Sequence, residues 1–441
     1  MPDWFSQNIL THADELQRRG CLEMTLPNCT LRNEIHPIFR EDRWMKGYGQ
    51  HTDEIYKYMK GALRLASLFL TEDCMLPWFT HILYGANRIS ALRSAENRKL
   101  IYLEVTKKER SRDAIQKTRD SFVALAECVT LMFIPSTYSR TESAYGITNE
   151  RRKCWEWSKH FRDSDYPYIS RKNKDLERDG FKNPEIAILG DFQDYYRFGR
   201  RQRTQSECYR MEFMFAVTIV HEVAHAHWMF QRRQEYMGQE PHWNDYEPGR
   251  PELGFSWESV TLGRICNFLY HPREYGPLLS TRTYMWPTQD VRKQQEIYQE
   301  LYQGVPVEQI GFFQAHTPVH PGWLPGHDWR GSEYLCTDPE AAGMSYLCIV
   351  HAIPMKWIAS WFSEDEWVAR RNWWNQTGRD RPGTLFEPPP LGPTFALVYE
   401  RDMWGQARLG VLTKTFADPY LAQLETHTTG MGFYHPRFYG N

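Results

Sequence analysis

The chain has 441 residues, 41% hydrophobic and 24% charged, with 17 Trp, 25 Tyr and 23 Phe. That composition excludes a disordered chain, and the length lets it bury a large core without disulfides or a structural metal. A formal net charge of -2 gives no global reason to expect a polyanionic partner.

Nine cysteines, an odd number at irregular spacing with no C-x-x-C pair, disfavour a zinc ribbon or a thioredoxin-like site. The first residues, Met1 to Phe5, run into a polar stretch without the basic and apolar regions of a secretory signal. No apolar run reaches the ~18 residues of a membrane span. A cytoplasmic location with free thiols and no membrane partner is therefore expected.

In chain order, 51–93 reads as helical. Ile55, Tyr58, Met59, Ala62, Leu63, Ala66 and Leu70 recur at spacings of three and four behind Thr52, and a second helix follows Pro77. A third helix is predicted over 111–127. The pattern then changes: Cys128 to Ile134 is short, β-branched and stopped by Pro135, as suits a buried strand. Ala144–Thr148 and Pro184–Leu189 are further strand candidates, separated by a charged loop over 149–182.

Thr204-Gln-Ser-Glu207 forms a capping box that opens a long helix running to about Arg233. Helices are expected again over 252–270 and 286–303. Beyond 306 the chain is rich in Pro, Gly, Trp and His, and Arg379–Pro393 reads as a surface loop or arm. The predicted fold class is α+β: a predominantly helical chain with a small mixed sheet packed on the long helix. Three regions are expected: residues 1–127, helical; residues 128–304, the core; and residues 305–441, a C-terminal Pro/Trp/His-rich region that completes or covers the cleft.

The long helix carries His221-Glu222-Val223-Ala224-His225, an H-E-x-x-H sequence. Residues four apart on a helix differ by about 40° in azimuth and about 6 Å in height, so both imidazoles reach one ion. Glu222 stands beside them, placed to take a proton from a metal-bound water. Zinc suits two neutral imidazoles and one oxygen ligand, with a fourth position left open for water. The eight residues before the motif, Phe213 to Val220, are almost wholly apolar, and polar groups buried there without a partner would cost several kcal/mol. One Zn2+ ion relieves that cost.

A third ligand is required. Glu258, 33 residues after His225 and set among Phe255, Trp257, Val260 and Leu262, is the first candidate, because an unpaired carboxylate is disfavoured there. Glu252 in the same segment and His242 in Pro241-His-Trp are the alternatives. His227 is rotated about 200° from His225 and cannot share its ion.

The buried H-E-x-x-H helix, followed by a helix with an acidic residue, resembles the zincin metallopeptidases, in particular the glutamate-zincin branch with its His2Glu site. The resemblance spans 128–270 and rests on His221, Glu222, His225 and Glu258. It implies a zincin-like core, and a zinc-dependent metallopeptidase or amide hydrolase in which Glu222 is general base for a zinc-bound water. It also implies a peptide or small-amide substrate, and an upstream strand, Ala144–Thr148, forming the rim for an extended chain.

An oxyanion donor is expected from among Tyr145, Tyr270, His271, His320, His327 and Tyr334. Three other readings stand beside this one: a zinc enzyme acting on another small molecule, a zinc-binding module on the same scaffold, and a DNA-linked protease similar to the SprT-like zincins. The last would use Arg197, Arg200, Arg201 and Arg203, although basic runs of this kind are usually solvated faces and nucleic acid is the disfavoured partner.

Overall fold

The structure, a computed structural model, describes residues 12–93, 99–139, 145–152, 156–235, 240–243, 252–263, 265–268, 276–287, 291–302, 344–376, 394–401 and 407–413. Its helices of eight residues or more are α1 (Thr52–Thr71), α2 (Pro77–Tyr84), α3 (Arg112–Cys128), α4 (Arg171–Arg178), α5 (Gln205–Arg232), α6 (Val291–Tyr302) and α7 (Glu364–Gln376). The strands are β1 (Ala86–Arg93), β2 (Lys99–Glu104), β3 (Thr130–Phe133), β4 (Gly146–Glu150), β5 (Pro184–Ile188), β6 (Ile265–Phe268), β7 (Leu278–Pro287), β8 (Met344–Ala352), β9 (Thr394–Arg401) and β10 (Ala407–Thr413). The architecture is mixed, helices with small sheets, in keeping with the α+β expectation.

Helix α5 is the axis of the molecule, and its start is written locally. Thr204 accepts from the Glu207 amide at 3.2 Å while the Glu207 carboxylate accepts from the Thr204 amide at 2.8 Å, closing the predicted capping box. From Met211 to Val220 every residue is buried, all apolar but Glu212 and Thr218, so this stretch must be covered on every side. Helix α1 packs along one flank, and β4 and β5 along another.

The three short strands expected upstream all form, and they pair in the order β3-β5-β4. β3 runs parallel to β5, whereas β4 is antiparallel to it, with Gly146 opposite Ile188 and Glu150 opposite Pro184. β4 therefore lies at an edge of this sheet. Aromatic packing ties the sheet to the helix, with Phe133 packed against Trp44 at 5.0 Å and Phe215 at 6.2 Å, and those two 6.5 Å from each other.

Elsewhere the chain departs from its pattern. The span 51–93 is not helical throughout: after α2, β1 and β2 form an antiparallel hairpin. The helix expected over 252–270 is cut short. Leu253–Trp257 is helical and Glu258–Leu262 makes one wider, π-helical turn, but Gly263 takes the left-handed conformation (φ 79) and the chain leaves as β6.

The helix expected from 286 starts only at Val291, because Leu278–Pro287, rich in Thr, Tyr and Trp, is taken up as β7. β6 to β10 form one antiparallel sheet in the order β10-β9-β8-β7-β6, which joins strands from both sides of residue 304. A single hydrophobic cluster likewise runs from Leu26 to Trp374. The predicted loop or arm Arg379–Pro393 lies outside the described residues.

Among the described residues no helix is long and apolar enough to cross a membrane. Cys21, Cys29, Cys74, Cys128, Cys208 and Cys266 are free thiols.

Candidate metal centre

His221 and His225 stand one helical turn apart on the same face of α5, with ring centroids 5.2 Å apart. Ligand atoms of His221, Glu222 and His225 all lie within 4.8 Å of one another, a group able to hold a metal ion.

The surrounding carboxylates are arranged atom by atom. Glu252 Oε1 lies 3.1 Å from His221 Nε2 and 2.7 Å from His225 Nε2, so one oxygen faces both rings. On the far side of each ring a different carboxylate waits. Glu258 Oε1 is 2.8 Å from His221 Nδ1, and Glu240 Oε1 is 2.6 Å from His225 Nδ1.

This placement revises the expected roles. Glu258 does belong to the site, but it faces Nδ1, the side of the ring turned away from the other histidine, and its second oxygen accepts the Cys266 amide of β6 at 3.0 Å. Glu252, the alternative in the same segment, meets both Nε2 atoms. Its Oε2 accepts the Phe255 amide as the N-cap of the short helix, which leaves Oε1 alone to point at the rings. His242 is buried on a strap against β2, where its backbone bonds Ile101 and Leu103. His227 points, as its azimuth predicts, to the other face of α5. There Ser121 Oγ meets its Nε2 at 2.8 Å among Phe79 and Phe122.

Two glycines make the close approach possible, and neither has a positive φ. A Cβ on Gly254 would come within 2.2 Å of the His221 ring, and one on Gly146 within 2.6 Å of Glu222 Cγ. Thr148 on β4 donates to Glu222 Oε2 at 2.7 Å. Glu240, Gly146, Gly254 and Thr148 were not singled out from sequence; only the glycine next to an acidic, aromatic segment, Glu252-Leu-Gly-Phe, offered a local hint.

The electrostatics follow from this layout. Burial depresses the basicity of the His221 ring, but the Glu252 charge and the bonds to Glu252 and Glu258 outweigh it and carry the pKa to about 10. His225 is likewise opposed by burial and carried well above the usual imidazole value by Glu240 and Glu252. Burial also acts on Glu252, yet His221 and His225 hold its carboxyl well below the usual range. For Glu222 and Glu258 burial prevails and pushes the pKa up.

The donor set fits zinc. A neutral imidazole has one N–H and one lone pair, yet each of these rings faces a carboxylate at both nitrogens. As imidazolium each ring satisfies the carboxylates at both of its nitrogens. His221, His225 and Glu252 would hold a divalent cation, and each ring would then keep its Nδ1–H for its own carboxylate and offer its Nε2 lone pair as a donor. Three donors about 2.1 Å from a tetrahedral ion lie about 3.4 Å apart, so the Glu252 carboxylate, now 3.1 Å and 2.7 Å from the two rings, would draw back by several tenths of an ångström to admit one.

Of the proposed oxyanion donors, Tyr145 is partly buried against the core, and Tyr270, His271, His320, His327 and Tyr334 lie outside the described residues. The arginine cluster is occupied within the chain. Arg197 pairs with Glu54 at 3.1 Å, Arg200 with Glu212 at 3.1 Å, Arg203 with Glu207 at 3.5 Å, and Arg201 donates to the Tyr58 hydroxyl at 2.9 Å.

Comparison with known proteins gives no match: no protein family, no curated protein and no solved structure is found to be similar to this chain.

Proposed function

We propose that the chain is a zinc-dependent hydrolase of the metallopeptidase type, built on a zincin-like core. In this reading His221, His225 and Glu252 hold one ion, and Glu222 is the general base. The observation that carries the reading is the single oxygen, Glu252 Oε1, set against the Nε2 atoms of both histidines on a buried H-E-x-x-H helix. A His2Glu set leaves a position open, the hallmark of a catalytic rather than a structural zinc site.

Zinc bound there would supply Lewis acidity, making a water a better nucleophile at neutral pH and polarising a carbonyl. The rest is the work of the chain. Glu222 is buried, and burial makes its carboxylate a stronger base than one in water. Thr148 holds Oε2, which leaves Oε1 as the oxygen to take a proton and pass it to a leaving amine. Glu258 and Glu240 hold the two rings in one tautomer. β4, at the edge of its sheet and directly beside Glu222, is suited to pair with an extended peptide by strand addition.

Metal analysis of the purified protein tests the reading, with about one zinc per chain expected. Glu222→Gln should keep the zinc and lower hydrolysis of a peptide or small amide by about 10²–10⁴-fold. Protein without zinc, or a Glu222→Gln variant that still turns over normally, would remove the proposal.

A further inference from the structure

Helix α5 ends at Arg232, and the chain returns to the site at Glu240 on a short described segment, 240–243. Two elements fix that segment, β2 and α2. The His242 amide donates to the Ile101 carbonyl at 2.8 Å and its carbonyl accepts the Leu103 amide at 3.0 Å, so the segment lies parallel beside β2. The Trp243 carbonyl meets His81 Nε2 at 2.7 Å, and the Trp243 indole donates to the Trp78 carbonyl at 3.5 Å, both on α2.

From this anchored strap the Glu240 carboxylate reaches two groups at once. Oε1 lies 2.6 Å from His225 Nδ1, and Oε2 accepts the Leu253 amide at 3.0 Å. Leu253 directly follows Glu252 in the chain.

We propose that Glu240 is a positioning residue of the metal centre: from the strap on β2 it sets the ring and tautomer of His225 and, through the Leu253 amide, the approach of Glu252. The proposal rests on the zinc reading above. A backbone N–H alone could be satisfied by any acceptor, neutral or charged. A carboxylate on Nδ1 does more, because it holds the ring proton there, keeps the Nε2 lone pair directed inward, and raises the donor strength of the ring. The β1–β2 hairpin, which carries no ligand, thereby becomes part of the support of the site.

Glu240→Gln separates these functions, since the amide keeps an acceptor oxygen for Leu253 and loses the charge facing His225. Zinc affinity measured by competition with a chromophoric chelator should fall about 10–100-fold, while the circular dichroism of the variant stays that of the parent. The visible bands of the cobalt-substituted protein should shift, a readout that a purely structural contact would leave alone. Unchanged affinity with unchanged cobalt bands overturns the proposal.

Should Glu240→Gln not fold, Glu240→Asp, which keeps the charge but shortens the arm, is expected to fold and to show the same loss of affinity. Failure of both variants to fold would make Glu240 a residue of the scaffold and would also overturn it. Parent protein that binds no zinc sinks the underlying reading instead, so the two failures are distinguishable.

Discussion

His225 and His227 stand two residues apart on one buried helix, and the structure gives them opposite chemistry. His225 turns toward Glu240 and Glu252 and is carried well above the ordinary imidazole pKa against the effect of burial. His227 turns toward Phe79, Phe122 and Ser121 and, with burial acting alone, is pushed down to about 3. The helix and the residue type are shared; His227 is the more deeply buried of the two, and only His225 faces carboxylates. Burial by itself produces a neutral core histidine, and burial beside anions produces a ring that holds its proton.

The sharpest way to break this contrast is to remove each ring in turn. His225→Ala should abolish stoichiometric zinc binding. His227→Ala should keep zinc and instead lower stability by about 2–4 kcal/mol, the usual range for emptying a buried ring site. Zinc content and thermal melts of the two variants read both outcomes, and zinc loss in His227→Ala would erase the distinction between the faces.

The next effect tests the close approaches. Gly254→Ala drives a methyl into the His221 ring and should lower zinc affinity severely, whereas Gly146→Ala meets Glu222 and should spare zinc and depress turnover. Equilibrium dialysis beside an activity assay separates the two, and unaltered zinc binding in Gly254→Ala would count against the packing described for His221.

The smallest effect is a pair of pH signatures of opposite sign, read on metal-free protein. The His221 pKa is raised in the fold to about 10, so its contribution is full below the unfolded value near 6.5 and fades as pH rises through about 10. The His227 pKa is lowered to about 3, so its contribution is full above about 6.5 and fades as pH falls toward 3. Melting temperature should therefore drop on both sides of neutrality. Zinc should suppress the alkaline loss attributed to His221, and His227→Phe should reduce the acid loss. An alkaline limb indifferent to zinc would show that His221 is not the group responsible.

Much of this was legible along the chain because it is local. The α5 capping box needs only residues 204 to 207, the apolar run Phe213–Val220 announces a buried helix, and the four-residue spacing of His221 and His225 fixes their shared face. The three short strands could be found from β-branched runs bounded by turn residues. The sheet of β6 to β10 could not, since its members lie far apart in sequence and their pairing depends on contacts that no local pattern encodes.

At the site, the sequence by itself determined that two imidazoles and a carboxylate share one helical turn, because helix geometry is set by backbone hydrogen bonds within the element. Only the tertiary structure decided which outside carboxylate meets which nitrogen. Glu252 and Glu258 sit six residues apart in one segment, and a short helix closed by a left-handed Gly263 turns the first toward both Nε2 atoms and the second toward the Nδ1 of His221. Glu240 arrives from a strap on a different sheet. Those choices are made by packing between elements, where a shift of about one ångström exchanges one hydrogen-bond partner for another.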